Sequence, residues 1–451
     1  MFIALFLVVV LLLVFGIHWY LWKRLVKDVF TTRRGRRIGA LVVALLGVLI
    51  PVTLVGSRVL PLKQQPILAW PGFLWLALMF YLLVTLALLE LPRLALRLWT
   101  RHRPALPVDN SVESAAAPVD RSPRAVQEHV DAGARAVDIG AAAEPARAVG
   151  NGDREEFAGA VDGRSPAEPL PGAVDNRHDP SRRLLLGRSL AATAGVLSVS
   201  AVGIGTWQAK SAPQLKRVPI RLAKLPASMA GFKIALVSDI HLGPLLGRSH
   251  TERIVRIINS VDADIVAIVG DLVDGSVAEL GPAAEPLQDL RSRQGSFFVT
   301  GNHEYFSGYQ EWIDEVDSLG VRVLRNERLD IQGIDLAGVN DVTGADVQDG
   351  PDFTKALTGR DSSRPVVLLA HQPVQAHEAA KHGVDLQLSG HTHGGQMVPF
   401  NLLVGLEAPV VSGLGTVDGT QVYVTRGAGF WGPPVRFGAP PDISVIELHR
   451  A

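Results

Sequence analysis

The chain contains no cysteine, which excludes disulfides, thiolate metal ligands and cysteine nucleophiles together. Any metal it holds is held by nitrogen and oxygen. Charge of one sign is not in excess either. Lys+Arg and Asp+Glu are both 44, so the net charge of zero gives no reason to expect a nucleic-acid partner. Aromatic residues are few, at 6%, and almost missing from residues 104–180, where Pro, Ala, Asp, Arg, Ser and Gly dominate. That stretch lacks the means to build a core and reads as a disordered linker, its recurring Val-Asp pairs as low complexity. What the chain does have is apolar residues, 47% of its 451 positions, and the excess sits in the first hundred.

Three apolar runs there, residues 2–22, 38–60 and 67–91, each reach the ~20 residues that a bilayer span needs. The basic residues of the first run follow it, the wrong side for a cleaved signal peptide. Lys23, Arg24, Lys27, Arg33, Arg34, Arg36 and Arg37 fill the first loop, whereas the second offers only Arg58 and Lys63. The positive-inside rule then makes the first loop cytoplasmic and returns the chain to the cytoplasm after residue 91, beside Arg93, Arg97, Arg101 and Arg103. His18 and Glu90 lie near the ends of their runs and read as interfacial side chains. Residues 1–103 thus form a membrane domain with three transmembrane helices. Residues 181–210 follow the linker, with Arg182, Arg183 and Arg188 ahead of an Ala/Gly/Ser/Val-rich run. They read as a fourth transmembrane helix or a twin-arginine-like internal signal. Either sends the remaining chain, residues 215–451, outside the cytoplasm.

That remainder has the pattern of one large α/β domain. Strand-length apolar runs recur at 233–238, 264–269, 296–300, 366–370, 384–389, 421–425 and 443–448, with helical spacing at 250–260 and 309–319. Several runs end in polar residues of one kind. The first leads into Asp239 and His241, the second into Gly270, Asp271 and Asp274, the third into Gly301, Asn302, His303 and Glu304, the fourth into His371, and the fifth into Gly390, His391 and His393. Open α/β sheets place their sites at the carboxyl ends of strands, so these residues can converge. If the segments stay extended, His391 and His393 point to one side, as do Asp239 and His241. Carboxylates, imidazoles and one amide suit a pair of divalent ions, Mn, Fe or Zn. Five of the 13 histidines fall in these motifs.

In this order the motifs Asp239-x-His241, Gly270-Asp271 with Asp274, Gly301-Asn302-His303-Glu304, His371 and Gly390-His391-x-His393 resemble the calcineurin-like metallophosphoesterase superfamily. Gly394-Gly395-Gln396, Thr425-Arg426-Gly427 and the tail from Arg436 to Pro441 resemble its membrane-associated bacterial phosphodiesterase branch. The resemblance implies a sandwich of two mixed β-sheets flanked by helices. It implies that Asp239, His241 and His393 hold one metal ion, that Asn302, His371 and His391 hold a second, and that Asp271 bridges them. His303 would give a proton to the leaving group, with Asp274 and Glu304 orienting the groups around it. The implied activity is metal-dependent phosphoester hydrolysis, and apolar side chains near the motifs, on a domain tethered outside a membrane, lean toward a phosphodiester that is lipid-like or from the cell envelope. The alternatives are a phosphomonoesterase, for which Arg426 and Arg436 are candidate rim cations, and a non-catalytic metal-binding module. Leu242, Pro244, Leu245, Leu246, Phe430, Trp431, Pro433, Pro434 and Phe437 are candidates for an apolar rim facing the bilayer.

Overall fold

The computed structural model describes residues 2–101 and 180–451, so the expected linker lies outside the described residues up to position 179. Four helices come first: α1 (Phe2–Leu21), α2 (Arg33–Val59), α3 (Gln65–Arg101) and α4 (Pro180–Lys210). Each holds a stretch long and apolar enough to cross a membrane, and the protein is a membrane protein. Leu12, Phe15, Leu41 and Leu45 stand exposed on α1 and α2, an outer surface that suits hydrocarbon. Leu21, Ile50, Trp75, Met79, Leu82, Leu86 and Ala194 pack between the helices. His18 is not interfacial. It is buried in this bundle, where Trp75 Nε1 donates to its Nε2 at 3.2 Å and its Nδ1 lies 2.8 Å from the Val14 carbonyl. Glu90 pairs with Arg24 at 2.5 Å.

Twelve strands follow in the described residues: β1 (Gln214–Leu222), β2 (Phe232–Val237), β3 (Ile265–Val269), β4 (Ser296–Val299), β5 (Val321–Val323), β6 (Glu327–Ile331), β7 (Ile334–Gly338), β8 (Val366–Leu369), β9 (Leu386–Ser389), β10 (Gly413–Val417), β11 (Thr420–Val424) and β12 (Asp442–Arg450). They form two mixed six-stranded sheets, ordered β1-β12-β2-β3-β4-β5 and β10-β11-β9-β8-β7-β6. Alternation along the strands explains the layering. Ile234, Leu236, Ile265, Ala267 and Val269 point inward to meet Val367, Leu369, Leu386 and Leu388 of the other sheet. Ala235, Val237, Val266 and Ile268 point outward, under α5 (Arg248–Asn259), α6 (Val277–Ala284) and, beyond α7 (Asn302–Ser307), α8 (Tyr309–Ser318). The second sheet's outer face is covered by α9 (Phe353–Leu357) and α10 (Ala376–Lys381). The expected sandwich of two mixed sheets flanked by helices is therefore the fold.

The last helix, α11 (Asn401–Val404), belongs to a hairpin between β9 and β10. This hairpin and the loop before β12 join the sandwich to the helical bundle. Met397, Val435 and Phe437 pack with Ala77, Tyr81 and Ala201, and the Arg436 backbone N–H donates to the Gly205 carbonyl at 2.9 Å. Gly205 allows this approach, because a Cβ there would stand 2.5 Å from Val435 Cγ1 and 3.1 Å from the Phe437 nitrogen. At Gly203, two residues away, a Cβ would meet nothing within 4 Å. Gly205→Leu should therefore cost about 1–3 kcal/mol through overpacking. We expect a thermal midpoint several degrees below wild type for Gly205→Leu in detergent and an unchanged one for Gly203→Leu. Equal midpoints would show that the two parts do not pack this way.

Candidate metal centre

Five strands of the two sheets, β2, β3, β4, β8 and β9, end on the same side of the sandwich, and the candidate residues occupy the turns just beyond them. These turns are not extended. Asp239, His241, Asp271, His391 and His393 have φ of 51°, 51°, 53°, 71° and 51°. The left-handed region costs a non-glycine residue of order 1 kcal/mol and persists only where the surroundings enforce it. The extended geometry expected for the two i, i+2 pairs is thereby corrected. Each chain reverses within a residue or two, so His391 and His393 enter different groups instead of one. Gly390 permits the turn, since a Cβ on it would collide with Ser238 Oγ and Asp239 Oδ2.

Asp239, His241 and His393 bring one donor atom each within 4.8 Å of one another, and Asp271, His371 and His391 do the same beside them. In the first group the Nε2 atoms of His241 and His393 are 3.0 Å apart. In the second, Nε2 of His371 lies 3.1 Å from Asp271 Oδ2, 3.2 Å from Asn302 Oδ1 and 3.2 Å from His391 Nδ1. His391 Nδ1 is also 3.0 Å from Asn302 Oδ1. The His371 Nδ1 proton is committed to the Val269 carbonyl at 2.8 Å, so Nε2 turns its remaining valence toward these oxygens. Asp239 and His371 are fully buried, and Asp271 is 2% exposed. Acceptor atoms gathered this closely away from water repel one another unless a cation or proton stands among them. The donor set, nitrogen and oxygen without sulfur, fits Zn, Mn or Fe.

In the metal-free protein, protons supply that charge. Burial alone would lower the His241 imidazole, but Asp274, Asp271 and Asp239 raise it to about 9. Against the same burial penalty, Asp271 holds the His371 imidazole well above its ordinary value. For His391, burial followed by the charge of His371 outweighs Asp271 and lowers it to about 4.

The other expected residues surround these groups. His303 Nδ1 lies 2.5 Å from Asp274 Oδ1, which also faces His241 Nδ1 at 3.2 Å, so one carboxylate orients both rings. The His303 Nε2 atom is 3.9 Å from Asp271 Oδ2. Glu304 is fully buried and accepts from the N–H groups of Gly301, Leu272 and Asp271 at 2.6, 2.8 and 3.0 Å, tying together the turns after β3 and β4. Burial, then the charge of Asp271, push its carboxyl up to about 7 against those donors.

Two expectations about the rim are corrected. Arg436 is fully buried behind His393, with Nη1 2.6 Å from His393 Nδ1 and further bonds to the Ala439 and Arg426 carbonyls. Arg426 is half-buried against Gly394. Of the apolar rim, Leu242, Leu246, Phe430, Pro433 and Pro434 are buried, drawn into the core or against the helices. Trp431 remains exposed, and Phe306, missed in the sequence because it lies inside α7, joins it. Each ring stands 5.7 Å from His303.

Two outcomes follow. The 3.0 Å gap between His241 and His393 holds one proton, which a cation binding both nitrogens displaces. Because His241 keeps its proton up to about pH 9, metal uptake near pH 7 should release protons, and affinity should rise as pH climbs toward that value. Calorimetric heats that do not depend on buffer ionisation enthalpy would contradict this. Glu304→Gln offers an amide in place of an acceptor to three N–H groups and should cost about 1–3 kcal/mol. A lowered thermal midpoint checks it.

Residues 232–395 match the calcineurin-like phosphoesterase family. An uncharacterised metallophosphoesterase of Helicobacter pylori is 42% identical over 247 residues, 54% of this chain and 66% of that protein. A transmembrane protein with metallophosphoesterase domain from Danio rerio is 40% identical over 261 residues, 55% of this chain and 60% of that protein. An uncharacterised metallophosphoesterase of Aquifex aeolicus is 34% identical over 240 residues, 52% of this chain and 91% of that protein. This chain thus spans less than two thirds of the first two relatives, whereas the third is matched along nearly its whole length. On that likeness and the ordered motifs behind it, the chain belongs to the calcineurin-like metallophosphoesterase family.

Proposed function

We propose that the protein is a metal-dependent phosphodiesterase whose catalytic domain lies outside the cytoplasmic membrane and acts on an amphiphilic phosphodiester. Asp239, His241 and His393 would hold one divalent ion, and Asn302, His371 and His391, with Asp271 beside them, would hold another. Divalent ions there would supply Lewis-acid charge to the phosphate oxygens. The observation that carries the catalytic reading is the His303–Asp274 pair. Asp274 accepts the Nδ1 proton of His303, so that the ring carrying both protons has its Nε2–H beside Asp271 to give to the departing oxygen. Glu304 keeps the turns of Asp271 and Asn302 in register, and Arg436 fixes the ring of His393.

The burial of Arg436 favours a diester over a monoester, whose additional charge calls for a cation on the rim. Trp431 and Phe306 support an amphiphilic leaving group, since they flank His303 with exposed apolar surface. The excess of basic residues in the first loop supports the orientation.

Hydrolysis of a chromogenic phosphodiester and its matching monoester by the full chain, stripped of metal and reloaded with Mn, Zn or Fe, tests this reading. Metal-dependent turnover of the diester is expected, abolished in Asp271→Asn and slowed about 10²–10⁴-fold in His303→Ala. Turnover that is indifferent to metal or to His303, or a preference for the monoester, would overturn it.

A further inference from the structure

The hairpin between β9 and β10 begins at the metal centre and ends in the wrong surroundings for water. It leaves directly after His393, and its two ends are tied together where Thr392 Oγ1 donates to the Val411 carbonyl at 2.7 Å. Between them run Met397, Val398, Pro399, Phe400, Asn401, Leu402, Leu403, Val404, Gly405, Leu406 and then Glu407, the first charged residue. Leu402, Leu403 and Leu406 are 69%, 57% and 80% exposed. Three adjacent leucines this bare are unfavourable in water, at about 25 cal/mol for each Å² of apolar surface.

Their depth is set by α3. The ring of Phe400 meets that of Phe80 edge-on at 6.2 Å, and Phe437 meets Tyr81 at 5.6 Å. Phe80 lies ten residues from Trp70, over whose ring Lys210 sits at 5.3 Å, and ten from Glu90, which pairs with Arg24. Those two polar ends are therefore each about 15 Å from Phe80 along the helix, half of a hydrocarbon core of about 30 Å. Most of the hairpin's backbone N–H groups are also paired, as hydrocarbon favours. The N–H groups of Leu402, Leu403, Val404, Gly405, Leu406, Glu407 and Ala408 all donate to carbonyls within the hairpin, and that of Val398 donates to Phe437.

We propose that this hairpin is seated in the bilayer, with Leu402, Leu403 and Leu406 among the acyl chains of the leaflet on the catalytic domain's side. The occupant of this surface is phospholipid, because Phe400 at its base meets Phe80 in the middle of a helix long and apolar enough to cross a bilayer. The catalytic domain thereby gains a second attachment to the bilayer besides the helices. The inference rests on the fold and on α3 as a span; it does not depend on the catalytic reading.

The absence of cysteine makes the test clean. Leu402→Cys and Leu406→Cys in the full chain, labelled with an environment-sensitive fluorophore, are reconstituted in phosphatidylcholine/phosphatidylglycerol nanodiscs with nitroxides on the acyl chains. Ser363→Cys, exposed before β8, serves as reference. Blue-shifted emission and several-fold stronger quenching at 402 and 406 than at 363 are expected. Water-like emission at both positions would overturn the proposal. Blue-shifted emission without acyl-chain quenching would overturn it equally, since a protein would then cover the hairpin. Neither readout involves hydrolysis, so failure here is distinct from failure of the phosphodiesterase.

Discussion

Buried acceptor atoms that cannot tolerate one another without positive charge are the constraint on which the rest of this structure depends. Carboxylates, imidazole nitrogens and an amide oxygen converge at the ends of five strands, most of them out of reach of water. Two sheets with tightly packed faces are the kind of scaffold able to hold such an arrangement, because the strand ends cannot drift apart without opening the core between them. The left-handed turns belong to the same economy of strain. Asp and His tolerate positive φ better than β-branched residues do, and here five of them turn the chain back as soon as each strand ends.

Around this centre stand groups that hold its rings and turns in place. Asp274 orients two histidines, Glu304 joins two turns through three N–H bonds, and Arg436 stands behind a third histidine. Such outer contacts fix which ring nitrogen faces inward. Arg436 has a further consequence for architecture. Its backbone bonds to Gly205 of α4 while its guanidinium reaches His393, so a single residue connects the membrane bundle to the metal centre.

The sequence made the centre legible because each ligand follows an apolar run, and the central strands are apolar on both faces. Edge strands carried no such signal. β1, β5, β6 and β10, the outer strands of the two sheets, went unseen, since their exposed positions break the apolar pattern and β1 contains Pro219, which only an edge readily accepts. β7 was hidden differently, by Asp335, a fully buried carboxylate paired with Arg328 at 3.2 Å. The turns could not be read because φ is not encoded by residue type alone. Arg436 looked like a surface cation because nothing in its neighbourhood announces a partner 43 positions earlier. The leucines of the hairpin went unread as well, and only the contact of Phe400 with Phe80 of α3 gives them a meaning.

The most direct test of the central claim is a count of metal ions in the full chain, stripped and reloaded with Mn, set beside variants that remove one donor from each group. Two ions per wild-type chain are expected. Asp239→Ala and Asn302→Ala should each retain about one, because each leaves the opposite group whole. A single ion in the wild type, or two ions in both variants, would mean that these donors do not form the paired centre their positions describe.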